Sequence, residues 1–98
     1  MALVLRVTAR AEEDLRGLRD YILDRNKLVA ERVRSRIERS IDILLDHPHI
    51  AQRTSRAGVF RSTVPRYGYK LFFMIENESL ILLHVRHGAR SEPDLADL

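Results

Sequence analysis

LILLHVRHGAR, residues 80–90, is the segment on which the predicted fold depends most. Its first six residues are mostly aliphatic and too few for a lone helix, so they predict a buried β-strand. The apolar run stops at Arg86, and residues 86–90 then carry two guanidiniums, an imidazole and a glycine. The predicted core and a group of ionisable side chains therefore meet within one short segment.

Length and composition predict one domain over residues 1–98, with residues 91–98 as an acidic C-terminal tail. The chain is 45% hydrophobic and 32% charged, which is typical of soluble globular proteins. No apolar run approaches the ~20 residues of a membrane span, and there is no cysteine for a disulfide or a thiolate metal site. The four glycines are scattered, so no phosphate-binding loop is present. We expect a cytoplasmic protein with no cofactor and no membrane contact.

Positive charge is concentrated in the middle of the chain. Residues 47–75 contain five Lys/Arg and no acid, whereas residues 1–46 contain ten Lys/Arg and nine Asp/Glu. Fifteen of the 17 cations are arginine, which suits bidentate contact with carboxylate or phosphate. A genomic bias toward arginine explains that ratio equally well, but it does not explain the clustering. The clustering predicts a basic contact surface.

The first half of the chain predicts a strand and two helices. Residues 3–7 form the strand, and the following threonine can cap a helix over residues 9–25. Asn26 is expected to end that helix, and a second helix is expected over residues 27–46, ended by Pro48. Apolar residues at spacings of three and four predict one buried face on each helix. These faces are Ala11, Leu15, Leu18 and Ile22 on the first helix and Ala30, Val33, Ile37, Ile41, Leu44 and Leu45 on the second.

The second half predicts three strands, over residues 59–64, 69–75 and 80–85. Turn-forming residues separate them. The middle strand has apolar residues on both sides, so we expect it to be central in the sheet. In the last strand, strict alternation predicts one face formed by Ile81, Leu83 and Val85, and an opposite face formed by Leu82, His84 and Arg86.

This order predicts a small α+β domain with the arrangement β-α-α-β-β-β. A two-helix hairpin packs on one face of a mostly antiparallel four-stranded sheet. The second strand is expected to run antiparallel to the first, and the last three strands form a meander. The opposite sheet face lacks a helix, so its apolar residues predict a partner surface. Its candidate residues are Phe60, Phe72, Met74 and Leu82.

Basic residues near the strand ends form the main candidate site. Such a surface can hold a phosphate backbone or an acidic protein segment. The candidate contact residues are Arg53, Arg56, Arg61, Arg66, Arg86, His87 and Arg90. RNA cleavage through the 2′-hydroxyl needs a base, an acid and a cation, and imidazole is the natural proton carrier. The candidate catalytic residues for that chemistry are His87, Arg61, Arg66 and Arg86. The alternative is that these side chains only solvate strand ends.

The four histidines do not form a convincing metal site. His47 and His49 flank a proline, and no carboxylate spacing supports ligation together with His84 and His87. We interpret all four as surface histidines and expect no metal ion.

Several motifs, taken in order, resemble the RelE/ParE superfamily of toxins from bacterial type II toxin–antitoxin systems. The first half contributes AxxDL at residues 11–15, the pair Tyr21-Ile22 and the helix ending LxxxP at residues 44–48. The second half contributes the strand YKLFF at residues 69–73 and the segment ILLHVRHGAR at residues 81–90, which is similar to the family's aliphatic strand ending in His-Gly-x-Arg. The resemblance covers nearly the whole chain and is nearer to the ParE-like plasmid stabilisation toxins.

The resemblance implies the same β-α-α-β-β-β fold and a cognate ParD-like antitoxin that wraps the apolar groove of the toxin. It implies contact with operator DNA only through the antitoxin complex. ParE-like members poison DNA gyrase and are not enzymes, whereas RelE-like members cut mRNA on the ribosome. The basic candidate residues would then contact gyrase or acidic antitoxin side chains. A third possibility is a degenerate, non-toxic domain that only binds antitoxin.

The chain departs from both patterns within the superfamily. Residues 47–65 contain no lysine, residues 47–75 contain no acid, and Gly88 follows His87 where the nuclease pattern has a tyrosine nearby. Phe73 stands where ParE members frequently have tyrosine. Most of these departures remove groups that RNA cleavage would use, so they favour a gyrase inhibitor that is not an enzyme over an endoribonuclease.

Overall fold

The computed structural model of the protein describes residues 2–87. Two helices and five strands follow one another along the chain, with a short 3-10 turn, Pro48–Ile50, between the helices and the second strand. The elements are β1, Val4–Val7; α1, Ala9–Leu23; α2, Lys27–Asp46; β2, Gln52–Arg53; β3, Phe60–Thr63; β4, Lys70–Glu76; and β5, Ser79–Arg86. The candidate contact residue Arg90 and the acidic tail lie outside the described residues.

The strands form one mixed sheet in the order β1-β5-β4-β3-β2. The meander of β3, β4 and β5 is antiparallel and β4 is central, as predicted. The edge strand β1 instead pairs in parallel with β5. Since β3 and β5 both run antiparallel to β4, β3 has the same direction as β1. The expectation that these two strands are antiparallel was therefore wrong.

The sheet has five strands rather than the four predicted, because Gln52 and Arg53 form a short extra strand, β2, against β3. No strand was predicted at this segment, since two residues are too few to show alternation. A turn that follows β2 stabilises the pairing: the Thr54 hydroxyl donates to the Val59 carbonyl over 2.8 Å.

The two helices begin with polar caps. The Thr8 side chain accepts from the Ala11 amide, as predicted. Asn26 instead adopts an extended backbone, and its side chain accepts from the amides of Leu28 and Val29. It therefore begins α2 instead of ending α1 in the left-handed conformation, because its carbonyl oxygen satisfies two amides that the helix leaves unpaired. Neither helix of the described residues is long and apolar enough to cross a membrane.

The main core lies between the helices and one face of the sheet. The predicted stripe of α2 is confirmed, since five of its six residues are buried and Leu45 packs against them. From the sheet, Leu71, Phe73 and Leu80 are fully buried in the same cluster. At about 25 cal/mol per Å² of apolar surface removed from water, this cluster is the main favourable term for folding.

A β-bulge in β5 changes which residues share a face. Phe73 lies opposite Leu82 and Phe72 lies opposite His84, so Leu83 is an extra residue without a partner in β4. Leu82 and Val85 consequently both pack in the helix-side core, whereas Leu83 packs on the opposite face. The strict alternation predicted for this strand was wrong, because a bulge inserts one residue and shifts the pattern.

The sheet face opposite the helices, hereafter the outer face, carries a small apolar cluster. Val59, Phe72 and Leu83 are buried there, and Met74 and Ile81 pack against them. The outer-face positions predicted for Phe72 and Met74 are confirmed. Phe60 and Leu82 belong instead to the helix-side core, so their assignment to the outer face was wrong.

Candidate functional site

A row of cross-strand neighbours crosses the outer face. Gln52 in β2 pairs with Arg61 in β3, Arg61 pairs with Phe72 in β4, and Phe72 pairs with His84 in β5. Directly opposed residues point to the same side of a sheet with Cβ atoms about 5 Å apart. The Arg61 guanidinium donates to the Gln52 side-chain oxygen over 3.0 Å. The row therefore places the guanidinium of Arg61, held by Gln52, beside the buried ring of Phe72.

A second row, next to the first, adds two cations. Thr63 pairs with Lys70, and Lys70 pairs with Arg86. Since Lys70 lies two residues before Phe72 in β4, both side chains point to the outer face. Arg61, Lys70 and Arg86 thus lie on three adjacent strands of one face. We call these three residues the outer-face cations.

His84 is the buried ionisable group of this face, with only 1% of its surface exposed. Its Nδ1 forms a hydrogen bond with Oδ2 of Asp14 in α1, and the same oxygen accepts from the Val85 amide over 3.1 Å. Because a carboxylate only accepts, His84 Nδ1 carries the hydrogen. Arg10 donates to the other Asp14 oxygen over 3.4 Å. The interpretation of His84 as a surface histidine was therefore wrong.

Asp14 completes the edge of β5 where β1 ends. The register of β1 with β5 stops at Val7 opposite Leu82, so the strand edge beyond it needs other partners. Thr8 donates its hydroxyl to the Leu83 carbonyl over 3.2 Å, and Asp14 accepts from the next exposed amide. The first turns of α1 thereby hold the bulge and the histidine that follows it.

Burial lowers the pKa of His84 below its ordinary value, and the Asp14 carboxylate only partly opposes this effect. The physical reason is that Nε2 is buried and has no hydrogen-bond partner among the described residues. A proton added to Nε2 would be a buried donor without an acceptor. The ring is therefore neutral at neutral pH, so His84 adds no positive charge to the outer face.

Two of the candidate residues lie away from the outer-face cations. The His87 ring packs edge-on against Tyr69, with 5.1 Å between ring centroids, and Tyr69 belongs to the helix-side core. Arg66 lies in the β3–β4 turn and lines a cleft against α2. The structure thus brings Arg61 and Arg86 together on the outer face and puts Arg66 and His87 elsewhere.

The remaining candidates lie near the β2 edge of the sheet. Arg53 is exposed and lies opposite Phe60 in the sheet. The Phe60 side chain packs against the helix-side core, so Arg53 is on the helix side as well. Arg53 therefore does not join the outer-face cations. Arg56 is exposed in the turn that follows β2. No group of three His, Cys, Asp or Glu suited to a metal ion occurs within residues 2–87.

An apolar groove runs along the other side of the molecule, between the helices and β1. Its volume is about 520 Å³. Leu5, Val7, Leu15 and Leu18 line it together with Ile37, and charged side chains of both helices form its rim. Val4 and Leu5 in the adjoining edge strand are exposed. Apolar surface that remains open along an edge strand is suited to a protein segment.

Sequence reasoning did not include Lys70, Asp14 or His84 among the site residues. For Lys70 a signal was present, because it lies two residues from Phe72 in a predicted strand. Asp14 appeared only as an N-terminal helix charge and as part of a family motif. Its contact with a histidine 70 residues later depends on how α1 crosses β5.

Comparison with known proteins assigns this architecture to a class of small bacterial toxins. The sequence model described as "ParE toxin of type II toxin-antitoxin system, parDE" matches residues 5–92. The chain therefore belongs to the ParE toxin family of type II toxin–antitoxin systems. None of the curated protein sequences is similar enough to the chain to count as a match.

Solved structures share the fold. The chromosomal ParDE system from P. aeruginosa superposes with a TM-score of 0.77 at 19% identity, covering 88% of this chain and 96% of that one. The RelBE2 toxin–antitoxin complex from Mycobacterium tuberculosis gives 0.62 at 22% identity, covering 89% and 99%. The intact E. coli RelBE toxin–antitoxin complex gives 0.60 at 17% identity, covering 91% and 100%. The chain thus has the same fold as the toxins of these ParDE and RelBE systems.

Proposed function

We propose that the protein inhibits DNA gyrase and is neutralised by a ParD-like antitoxin. The membership in the ParE family supports this function, and the arrangement of the candidate residues supports it over RNA cleavage. His87 contacts Tyr69 on the helix side, whereas Arg61 and Arg86 lie on the outer face. The histidine that would move a proton thus lies on the opposite side of the sheet from two of the three arginines that would act with it.

The histidine that does belong to the outer face is poorly suited to acid–base chemistry. His84 is buried, bonded through Nδ1 to Asp14 and resistant to protonation. A general base must reach the proton that it abstracts. The outer-face cations are better suited to a binding role, in which Arg61 and Arg86 contact acidic groups of gyrase.

The antitoxin in this proposal occupies the apolar groove between the helices and β1. An amphipathic helix or an added strand would cover the open apolar residues there, as in the common modes of peptide recognition. The exposed valine and leucine of β1 provide the unpaired strand edge. Contact with operator DNA would occur through the antitoxin complex.

Purified protein added to gyrase and supercoiled plasmid tests the function. We expect cleaved plasmid to accumulate, and we expect co-expressed antitoxin to prevent it. Arg61→Gln with Arg86→Gln should weaken inhibition at least tenfold, because two outer-face cations are lost. Arg16→Gln with Arg19→Gln is the matched control for inhibition measured without antitoxin, since it removes the same charge from exposed positions of α1. Both residues line the antitoxin groove, so this control is not used in the antitoxin experiment.

A translating extract tests the alternative in parallel. Ribosome-dependent mRNA cuts with gyrase unaffected would contradict the proposal and favour a RelE-type endoribonuclease. In that case His87→Ala should abolish cutting with folding intact. Antitoxin binding with neither activity would identify a degenerate, non-toxic domain and would also contradict gyrase inhibition.

A further inference from the structure

A basic cleft of about 440 Å³ lies between α2 and the β3–β4 turn. Four arginines and one aromatic residue form most of its lining: Arg32, Arg36, Arg39, Arg66 and Tyr67. Three of the arginines come from the middle of α2, and the fourth comes from a turn about thirty residues later in the sequence. Tertiary packing has therefore assembled this cluster from two distant segments. We call it the α2 cleft.

The helix arginines of the α2 cleft are aligned. Arg32, Arg36 and Arg39 are four and three residues apart, so they lie on one face of the helix. At 1.5 Å per residue, they span about 10 Å along the helix axis. One strand of duplex DNA carries a phosphate about every 3.4 Å of axis, so about three successive phosphate spacings fit this length.

The cleft arginines have no carboxylate partners among residues 2–87. Arg34, on a neighbouring face of α2, donates to Glu31 over 2.9 Å and to Glu38 over 2.8 Å. No ion pair or side-chain hydrogen bond joins Arg32, Arg36 or Arg39 to another described residue. Glu31 at the cleft rim is already bonded to Arg34. The described lining of the cleft thus contains four guanidiniums and one carboxylate, so its charge is strongly positive.

Arg66 adopts a backbone conformation that is unfavourable for arginine. Its φ angle is +77°, in the left-handed region. Asn77, the other non-glycine residue with positive φ within residues 2–87, belongs to a type that tolerates this region. Strained residues persist where the surrounding structure holds them, and they concentrate at functional sites. Here the strain brings a fourth guanidinium to the cleft.

We propose that the α2 cleft binds the phosphate backbone of double-stranded DNA without sequence preference. Guanidiniums match phosphate oxygens with bidentate geometry, and backbone contacts carry no sequence information. A row of aligned arginines suits a repeating anion better than a single small phosphate. Binding to DNA alone would let the toxin meet DNA independently of any partner protein.

This inference is independent of gyrase inhibition and goes beyond it. The outer-face cations and the α2 cleft use different arginines, so a variant of one leaves the other unchanged. The test uses DNA and the toxin alone. Failure to inhibit gyrase would therefore not affect its result, and failure to bind DNA would not contradict gyrase inhibition.

Fluorescence anisotropy with a labelled duplex of arbitrary sequence measures the binding. We expect log K to fall linearly with log salt between about 50 and 200 mM, with a slope of about 0.9 for each phosphate contacted. Arg32→Gln, Arg36→Gln and Arg39→Gln together should weaken binding on the order of 10- to 100-fold and lower the slope by about two to three.

The matched control is Arg6→Gln, Arg16→Gln and Arg19→Gln, which removes three exposed cations away from the cleft. Circular dichroism checks that both triple variants fold. Equal DNA affinity of the two variants would overturn the proposal, because only net charge would then matter. Tighter binding of single-stranded RNA, or equal competition by polyglutamate of the same charge, would also overturn it.

Discussion

The two faces of the sheet bury apolar residues to different extents. On the helix side, residues from both helices and four strands form one large cluster. On the outer face, three buried residues and two partly buried ones form a small cluster beside three cations. The helix side thus carries most of the folding free energy, whereas the outer face can carry charges because less of it is packed. Adjacent residues of one strand, which point to opposite faces, can therefore contribute different amounts to the free energy of unfolding.

The largest expected difference comes from neighbouring phenylalanines of β4. Phe73 is fully buried in the large cluster and Phe72 is fully buried in the small one. Truncating a buried phenylalanine to alanine costs about 3–5 kcal/mol. We expect Phe73→Ala at the upper end and Phe72→Ala at the lower end, measured by urea unfolding.

Phe73→Leu and Phe72→Leu keep the comparison testable if an alanine variant does not fold. We expect the same order with smaller losses of unfolding free energy. Equal losses for both positions would mean that the small outer cluster is packed as effectively as the main core.

The contact between α1 and the edge of β5 should give the next largest effect. Asp14→Ala leaves the Val85 amide and His84 Nδ1 without their acceptor. An unsatisfied buried donor costs about 1–3 kcal/mol, so we expect a loss of that size in unfolding free energy. Asp42→Ala, at an exposed position of α2, is the control and should change stability by less than about 0.5 kcal/mol. Similar losses for the two variants would exclude a special role for Asp14.

His84 should make stability depend on pH. Its pKa is lowered in the folded protein, mainly by burial, so the unfolded chain takes up the proton first as pH falls. The stability that it contributes is complete above about pH 6.5 and is lost as the pH falls toward the folded pKa, by at most about 1.4 kcal/mol per pH unit. Urea unfolding at pH 7.5 and pH 5.5 should show this loss in the wild type and a smaller one in His84→Gln.

His49→Gln is the control for that measurement, because His49 is exposed. It should retain the pH dependence of the wild type. If His84→Gln retained it as well, the titrating group would be another residue.

The smallest expected effect has the opposite sign. Arg66→Gly relieves a left-handed conformation that is costly for arginine. Because glycine also gains freedom in the unfolded chain, we expect a net stabilisation of about 0.5–1 kcal/mol. The same variant should bind DNA more weakly if the α2 cleft is a phosphate site. A destabilised variant would show that the Arg66 side chain makes packing contacts that outweigh the strain.

Local signals predicted much of the fold. The three- and four-residue spacing of α2 identified its buried face, and Thr8 identified the start of α1, because caps and helical faces depend on neighbours within a few residues. The outer-face position of Phe72 followed from alternation in β4. The two-residue strand β2 and the parallel pairing of β1 had no local signal, since both depend on residues far away in the sequence.

Local sequence patterns were sufficient to predict the helix faces, the meander and the excess of positive charge over residues 47–75. The positions of the ionisable groups depended instead on how the helices and strands pack together. A bulge at Leu83 turned His84 toward the outer face, and the crossing of α1 over β5 gave it Asp14 as a partner. The β3–β4 turn brought Arg66 to the row of arginines on α2. The physical reason is that periodicity describes one element at a time, whereas a site is formed by contacts between elements.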